Sequence, residues 1–98
     1  MAIQSFADKK IEVFFYEKTP PRKVGWITIK NIVRRKLIMV DAAEKLIDLK
    51  APPNNRLERL HGDLEGFHSI RIDDHWRIIF KWGGHSAGPS EVNVGDYH

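Results

Sequence analysis

The sequence contains no cysteine, so neither disulfide bonds nor thiolate metal sites can staple the chain. That absence suits a reducing cytoplasm, the compartment expected for it. No stretch approaches the roughly 20 apolar residues of a membrane helix. Met1-Ala2-Ile3-Gln4-Ser5 lacks the basic-then-apolar layout of a signal peptide. No histidine pair has HxxxH or HExxH spacing, and no metal site is expected. There is no Walker loop, no G-x-S-x-G elbow and no dinucleotide fingerprint, so no cofactor is expected either.

What remains is a chain of 98 residues, which predicts one domain over residues 1–98 with a small core. The net charge of +3 is unevenly spread. Residues 1–50 hold 11 Lys/Arg against 6 Asp/Glu, whereas residues 51–98 hold 5 against 7. A basic first half would suit a polyanionic partner. Taken alone, solvated helix faces explain the charge more simply.

A short strand is expected over residues 3–6. A first helix follows, with Asp8 suited to its N-terminal end. Ile11, Phe14 and Phe15 form its apolar stripe, and Thr19-Pro20-Pro21 stops it. A second helix is predicted over residues 26–40, with Ile29, Val33, Leu37 and Val40 inward and Lys30 and Arg34 one turn apart on another face. Asp41-Ala42-Ala43-Glu44 has the form of a capping box and predicts a third, short helix over residues 42–49. From Arg56 onward the apolar period falls from 3.6 to 2. Strands are expected over 56–60, 67–72, 76–82 and 91–97, separated by turns rich in glycine and proline. The order β-α-α-α-β-β-β-β predicts an α+β fold, with helices packed on one face of a mainly antiparallel twisted sheet.

The most informative local pattern is the run from Ser69 to Ile78. With Asp73-Asp74-His75 as a three-residue loop, Ile72 pairs with Trp76, Arg71 with Arg77 and Ile70 with Ile78. The apolar residues then share one face, and a one-residue slip would scatter them. The same register sets two arginines opposite each other, where like charges are destabilising. Either an anion sits between the two guanidinium groups, or Asp73, Asp74 or Glu58 neutralises them as a surface network. The residues alone leave both readings open. His68 alternates onto the apolar face, His75 falls in the turn, and His61 and His98 flank the strands that carry the arginines. Trp26, Trp76 and Trp82 fall mostly on core faces and offer no exposed platform for stacking bases.

Three segments together resemble the RelE/HigB superfamily, and most closely its HigB or "plasmid maintenance killer" branch. They are Arg56-Leu57-Glu58-Arg59-Leu60-His61-Gly62-Asp63, Gly66-Phe67-His68-Ser69-Ile70-Arg71-Ile72 and Trp76-Arg77-Ile78-Ile79-Phe80. Asp41-Ala42-Ala43, Pro52-Pro53-Asn54-Asn55 and the ending Asp96-Tyr97-His98 are similar as well. The resemblance implies a RelE-like fold and a type II toxin. It also implies cleavage of mRNA on the ribosome without a metal, and a helix-turn-helix antitoxin of the HigA type. Operator DNA would be bound only through the toxin–antitoxin complex, and no membrane is involved.

By the same resemblance, Arg71 and Arg77 would hold the scissile phosphate. Asp96, Tyr97 and His98 would be the terminal catalytic or binding residues, with His98 the favoured proton-transfer group and His61 its partner. The sequence departs from the branch at His61, where lysine is usual, and at Asp73, where some relatives are basic. No glutamate general base with the spacing of other RelE branches is present. Arg56, Lys30 and Arg34 are candidates for binding RNA.

The chemistry needs few groups, because RNA carries its own nucleophile in the 2′-OH. A histidine suits proton transfer, and arginines, always charged, suit stabilisation of the phosphorane. Two other readings are a gyrase poison of the ParE kind and a non-catalytic module that joins an antitoxin at an operator. Fold alone cannot separate these from a nuclease.

Overall fold

The computed structural model of the chain describes residues 2–83 and 88–96. The first helix, α1, spans Lys9–Glu17. Asp8 caps it in an extended conformation, its carboxylate accepting the Lys10 N–H at 2.8 Å. Lys18 closes it in the left-handed region and donates its N–H to the Phe14 carbonyl. Ile11, Phe14 and Phe15 are its buried residues, as the spacing predicts.

The second helix, α2, spans Lys30–Ala42 and starts later than expected, because Ile27–Ile29 form a 3₁₀ turn. Two β-branched isoleucines flanking a threonine favour helix weakly. Trp26 is held in the core just before them, its ring 5.2 Å from that of Phe14.

The capping box at Asp41 does not form. Asp41 stays inside α2, and its carboxylate accepts the N–H groups of Ala2 and Ile3, both at 3.2 Å. The third helix is accordingly reduced to a 3₁₀ turn over Leu46–Lys50. Asp48 ties its entry by accepting from the Glu44 and Lys45 N–H groups, both at 3.0 Å. The expected N-terminal strand likewise contracts to one parallel bridge between Phe6 and Val92.

Among the described residues, four strands form an antiparallel sheet in sequence order: β1 (Glu58–Arg59), β2 (Phe67–Arg71), β3 (Arg77–Lys81) and β4 (Ser90–Gly95). β1 begins two residues later than expected, after Arg56 takes a left-handed conformation (φ 46°). β4 ends at Gly95, where a Cβ would lie 2.6 Å from the terminal methyl of Ile79. Ile70, Ile78, Phe80 and Val92 are fully buried, as are Val33, Leu37 and Val40 of α2, and all belong to one apolar cluster. This is an α+β fold in which α1 and α2 pack on the sheet. No helix among the described residues is long and apolar enough to cross a membrane.

His68 stands on the core side of β2, its ring stacked 6.1 Å from Phe80. Burial pushes its pKa below the usual histidine value, and Arg59 adds to the effect, while a hydrogen bond with the Trp82 backbone opposes it. The unfolded chain therefore binds the proton more readily than the folded one. The stability contributed by neutral His68 is present above about pH 6.5 and is lost as the pH falls through the folded value. The urea midpoint should accordingly be lower at pH 5 than at pH 7.5, and His68→Phe should flatten that slope. An unaltered slope would assign the drop to other groups.

Candidate active site

The site is built at the end of the β2–β3 hairpin. Asp73 shapes the turn, its Oδ1 accepting the N–H groups of His75 (2.9 Å) and Trp76 (2.7 Å). The Ile72 N–H donates to the Trp76 carbonyl at 2.8 Å. Arg71 and Arg77 are consequently paired directly across the strands, next to Ile70 and Ile78, which are paired on the core face. The hairpin register is the one that the alternation predicts.

The two arginines are held differently. Only 12% of the Arg77 side chain is exposed. Its Nε donates to Ser69 Oγ at 2.7 Å, and its Nη2 donates to the Arg56 carbonyl at 2.6 Å. Glu58 lies 3.8 Å from the same nitrogen. Burial pushes the Arg77 pKa down, Glu58 opposes the shift, and the charges of Arg71 and Arg56 add to it. The guanidinium still carries its charge near neutrality, so it is a fixed cation set beside two others.

Arg71 donates to Asp74, whose carboxyl it holds below the usual carboxylate range, first through the hydrogen bond and then through its charge. The Asp74 side chain is 88% exposed, and an ion pair so open to solvent is weak and easily exchanged. The neutralising acids foreseen in the sequence are thus present as Asp74 and Glu58, while Asp73 is committed to the turn.

The other expected residues are distributed as follows. Gly95 pairs with Arg77, so β4 carries the chain to the arginine end of the sheet, and the next residue is Asp96. Tyr97 and His98 lie outside the described residues. Arg56 is exposed and contributes its backbone carbonyl to Arg77.

His61 is exposed, 3.9 Å from Glu65, beyond the last β1–β2 pairing of Arg59 with His68. That is five positions along the strand from the level of Arg71, roughly 16 Å at the rise of a strand, so His61 is not brought to the arginines. Lys30 and Arg34 share a cleft between α1 and α2 with Lys18 and Arg35. Arg34 Nη2 donates to the Phe15 carbonyl at 3.1 Å, at the carbonyl-rich end of α1, so this arginine is partly structural.

Four further residues around the arginines matter and are not among the candidates that the sequence suggests. Ser69 has a signal there, because it alternates onto the face of Arg71; it is fully buried beneath Arg77. His75 reads in the sequence as a turn residue only, yet the turn sets it at the arginine end, where its charge acts on Asp74. Lys36 and Asn55 are buried and joined by a hydrogen bond across 19 residues, which no local pattern announces.

Helices packed on an antiparallel sheet of four described strands form an α+β fold of the RelE-like kind. The chain belongs to the HigB-like toxin family, described as RelE-like toxins of the type II toxin–antitoxin system HigB, whose profile matches residues 4–98. It is similar to Toxin HigB-1 of Vibrio cholerae, with 43% identity over 82 residues, 84% of each chain. It is also similar to an uncharacterized protein of Haemophilus influenzae, with 39% identity over 52 residues, covering 53% of this chain and 52% of the other. The protein is therefore the toxin of a type II toxin–antitoxin system, and its family implies an antitoxin partner.

Proposed function

We propose that this toxin is a cytoplasmic endoribonuclease that cuts mRNA on the ribosome. The observation that carries the reading is the direct pairing of Arg71 with Arg77 at the end of the sheet to which β4 brings Asp96. Two guanidinium groups side by side bind a phosphate better than either alone, and they stabilise the charge that grows on its oxygens during displacement. The 2′-oxygen attacks phosphorus, a base takes the 2′-OH proton, and the bond to the 5′-oxygen breaks as that oxygen gains a proton. His98 is assigned the proton transfer, with Asp96 and Tyr97 beside it. His61, set apart from the arginines in the fold, is the weaker candidate for a second proton-transfer group. Arg56 and Lys30 would contact RNA. The antitoxin would be of the HigA helix-turn-helix type, and the complex would reach operator DNA through it.

The reading is tested by incubating the purified toxin with programmed ribosomes and mapping the cut ends. The expected products carry a 2′,3′-cyclic phosphate and a 5′-hydroxyl, and free mRNA is left intact. Products with 3′-hydroxyl and 5′-phosphate ends would overturn the mechanism. Uncut mRNA together with inhibited gyrase would replace the function. Lys30, exposed at the start of α2, tests the RNA-facing surface. Lys30→Glu should weaken ribosome binding and make its logarithmic salt slope shallower by about one, the change expected when one phosphate is no longer neutralised. Identical salt titrations would leave Lys30 as a solvated helix residue.

A further inference from the structure

Position 36 lies on the buried stripe of α2 with Val33, Leu37 and Val40, where an apolar side chain is expected. It is a lysine, and only 6% of it is exposed. Its ammonium donates to Oδ1 of Asn55, which is fully buried. The Asn55 amide nitrogen donates in turn to the carbonyls of Leu49 and Ala51, both at 3.1 Å, closing the turn that precedes β1 onto α2. Burial pushes the Lys36 pKa down, and the charges of Arg35 and Arg71 act in the same direction. A buried cation on an apolar stripe is a poor way to add stability, since an apolar side chain of similar volume often serves as well.

The residue after Asn55 shows what the arrangement positions. Arg56 holds φ 46°, a left-handed conformation that costs a non-glycine residue energy and persists where its surroundings hold it. Its N–H donates to the Pro53 carbonyl at 3.2 Å. In this conformation its own carbonyl accepts Arg77 Nη2 at 2.6 Å. Contacts therefore run from the buried Lys36–Asn55 pair, through the turn and the Arg56 backbone, to an exposed bond with the guanidinium of the candidate site.

We propose that Lys36 and Asn55 are positioning residues: Lys36 fixes Asn55, Asn55 fixes the turn, and the Arg56 carbonyl sets the angle at which Arg77 meets the scissile phosphate. The inference rests on Arg77 being the phosphate ligand. Displacing a catalytic group by about 1 Å can slow a reaction about 100-fold, so loss of Lys36 acts on the rate of cleavage even where the fold survives.

The test is a double-mutant cycle read by single-turnover cleavage on programmed ribosomes, together with the NMR resonance of the Arg77 Nε–H in the free toxin. Lys36→Met should slow cleavage by about 10- to 100-fold when Arg77 is present. In an Arg77→Lys background, which lacks the guanidinium to be aimed, it should add little. The Arg77 resonance should move in Lys36→Met while the spectrum elsewhere stays that of the folded protein. Lys36→Gln, which keeps a donor without the charge, replaces Lys36→Met if the latter does not fold. Equal losses in both backgrounds, or an unmoved resonance, would reduce Lys36 and Asn55 to a structural staple. If Arg77→Lys cleaves at full rate, the angle of the guanidinium does not matter and the inference falls, whereas full cleavage by Arg77→Ala would instead overturn the phosphate assignment on which it rests.

Discussion

Replacing Arg77 with alanine is expected to lower cleavage by about 10²–10³-fold and to abolish growth arrest while the protein remains folded. In the proposed mechanism the guanidinium supplies charge where charge grows on the phosphorane, and a methyl group supplies none. The side chain also bonds Ser69 Oγ and the Arg56 carbonyl, so the substitution carries a structural cost. Two such bonds from a charged donor are worth about 3–6 kcal/mol at most, and less here because the one to the Arg56 carbonyl is exposed. That is a part of the roughly 5–15 kcal/mol that holds a domain together. A denaturation curve should thus show a lower midpoint but a cooperative transition. Growth arrest at wild-type strength by a folded Arg77→Ala protein would remove Arg77 from the site. Arg77→Lys separates the two roles, since it keeps the charge and loses the planar fork.

Deleting His98 is the second large effect expected. β4 pairs Gly95 with Arg77 and then stops, so the residues that follow start from the arginine end of the sheet. Among the described histidines, His68 is turned to the core and His61 lies at the far end of β1. The family resemblance assigns proton transfer to the terminal histidine. A proton-transfer group contributes about 10²–10⁴-fold to the rate, and the deletion should remove that factor while leaving the unfolding midpoint unchanged. Cleavage at the full rate by the truncated protein would sink the assignment. His75 would then be the group to replace, because the hairpin turn places it next to Asp74, the carboxylate that Arg71 holds.

Which parts of this arrangement can be read from the residues follows from the range of the forces involved. The hairpin is legible because Ile70, Ile72 and Ile78 must share one face, and a slip of one residue would expose all three. The stripe of α1 and its Asp8 cap are legible because both are settled within a few residues. Asp41 misleads because a carboxylate that could cap the next helix is instead used by amides 38 and 39 residues away. Position 36 follows the same rule: its partner stands on a different element, so the lysine reads as an interruption of an apolar pattern until Asn55 is seen beneath it. His61 is drawn toward the candidate site by its neighbours in sequence, and the direction of β1 carries it away.

The parallel bridge at Phe6 bears on how the toxin behaves when it is unaccompanied. Val92 donates its N–H to Ser5 and accepts the N–H of Ala7, so the outer border of β4 is occupied by the chain's own first residues. The opposite border is β1, two residues long and made of Glu58 and Arg59, a charged stub that offers little to a neighbouring strand. Sheets with open, apolar borders recruit further chains and grow into aggregates. Sealed on one side and blunted on the other, this sheet gives a second copy almost no ladder to extend. Edge-to-edge pairing between released copies of the toxin is therefore disfavoured at both borders.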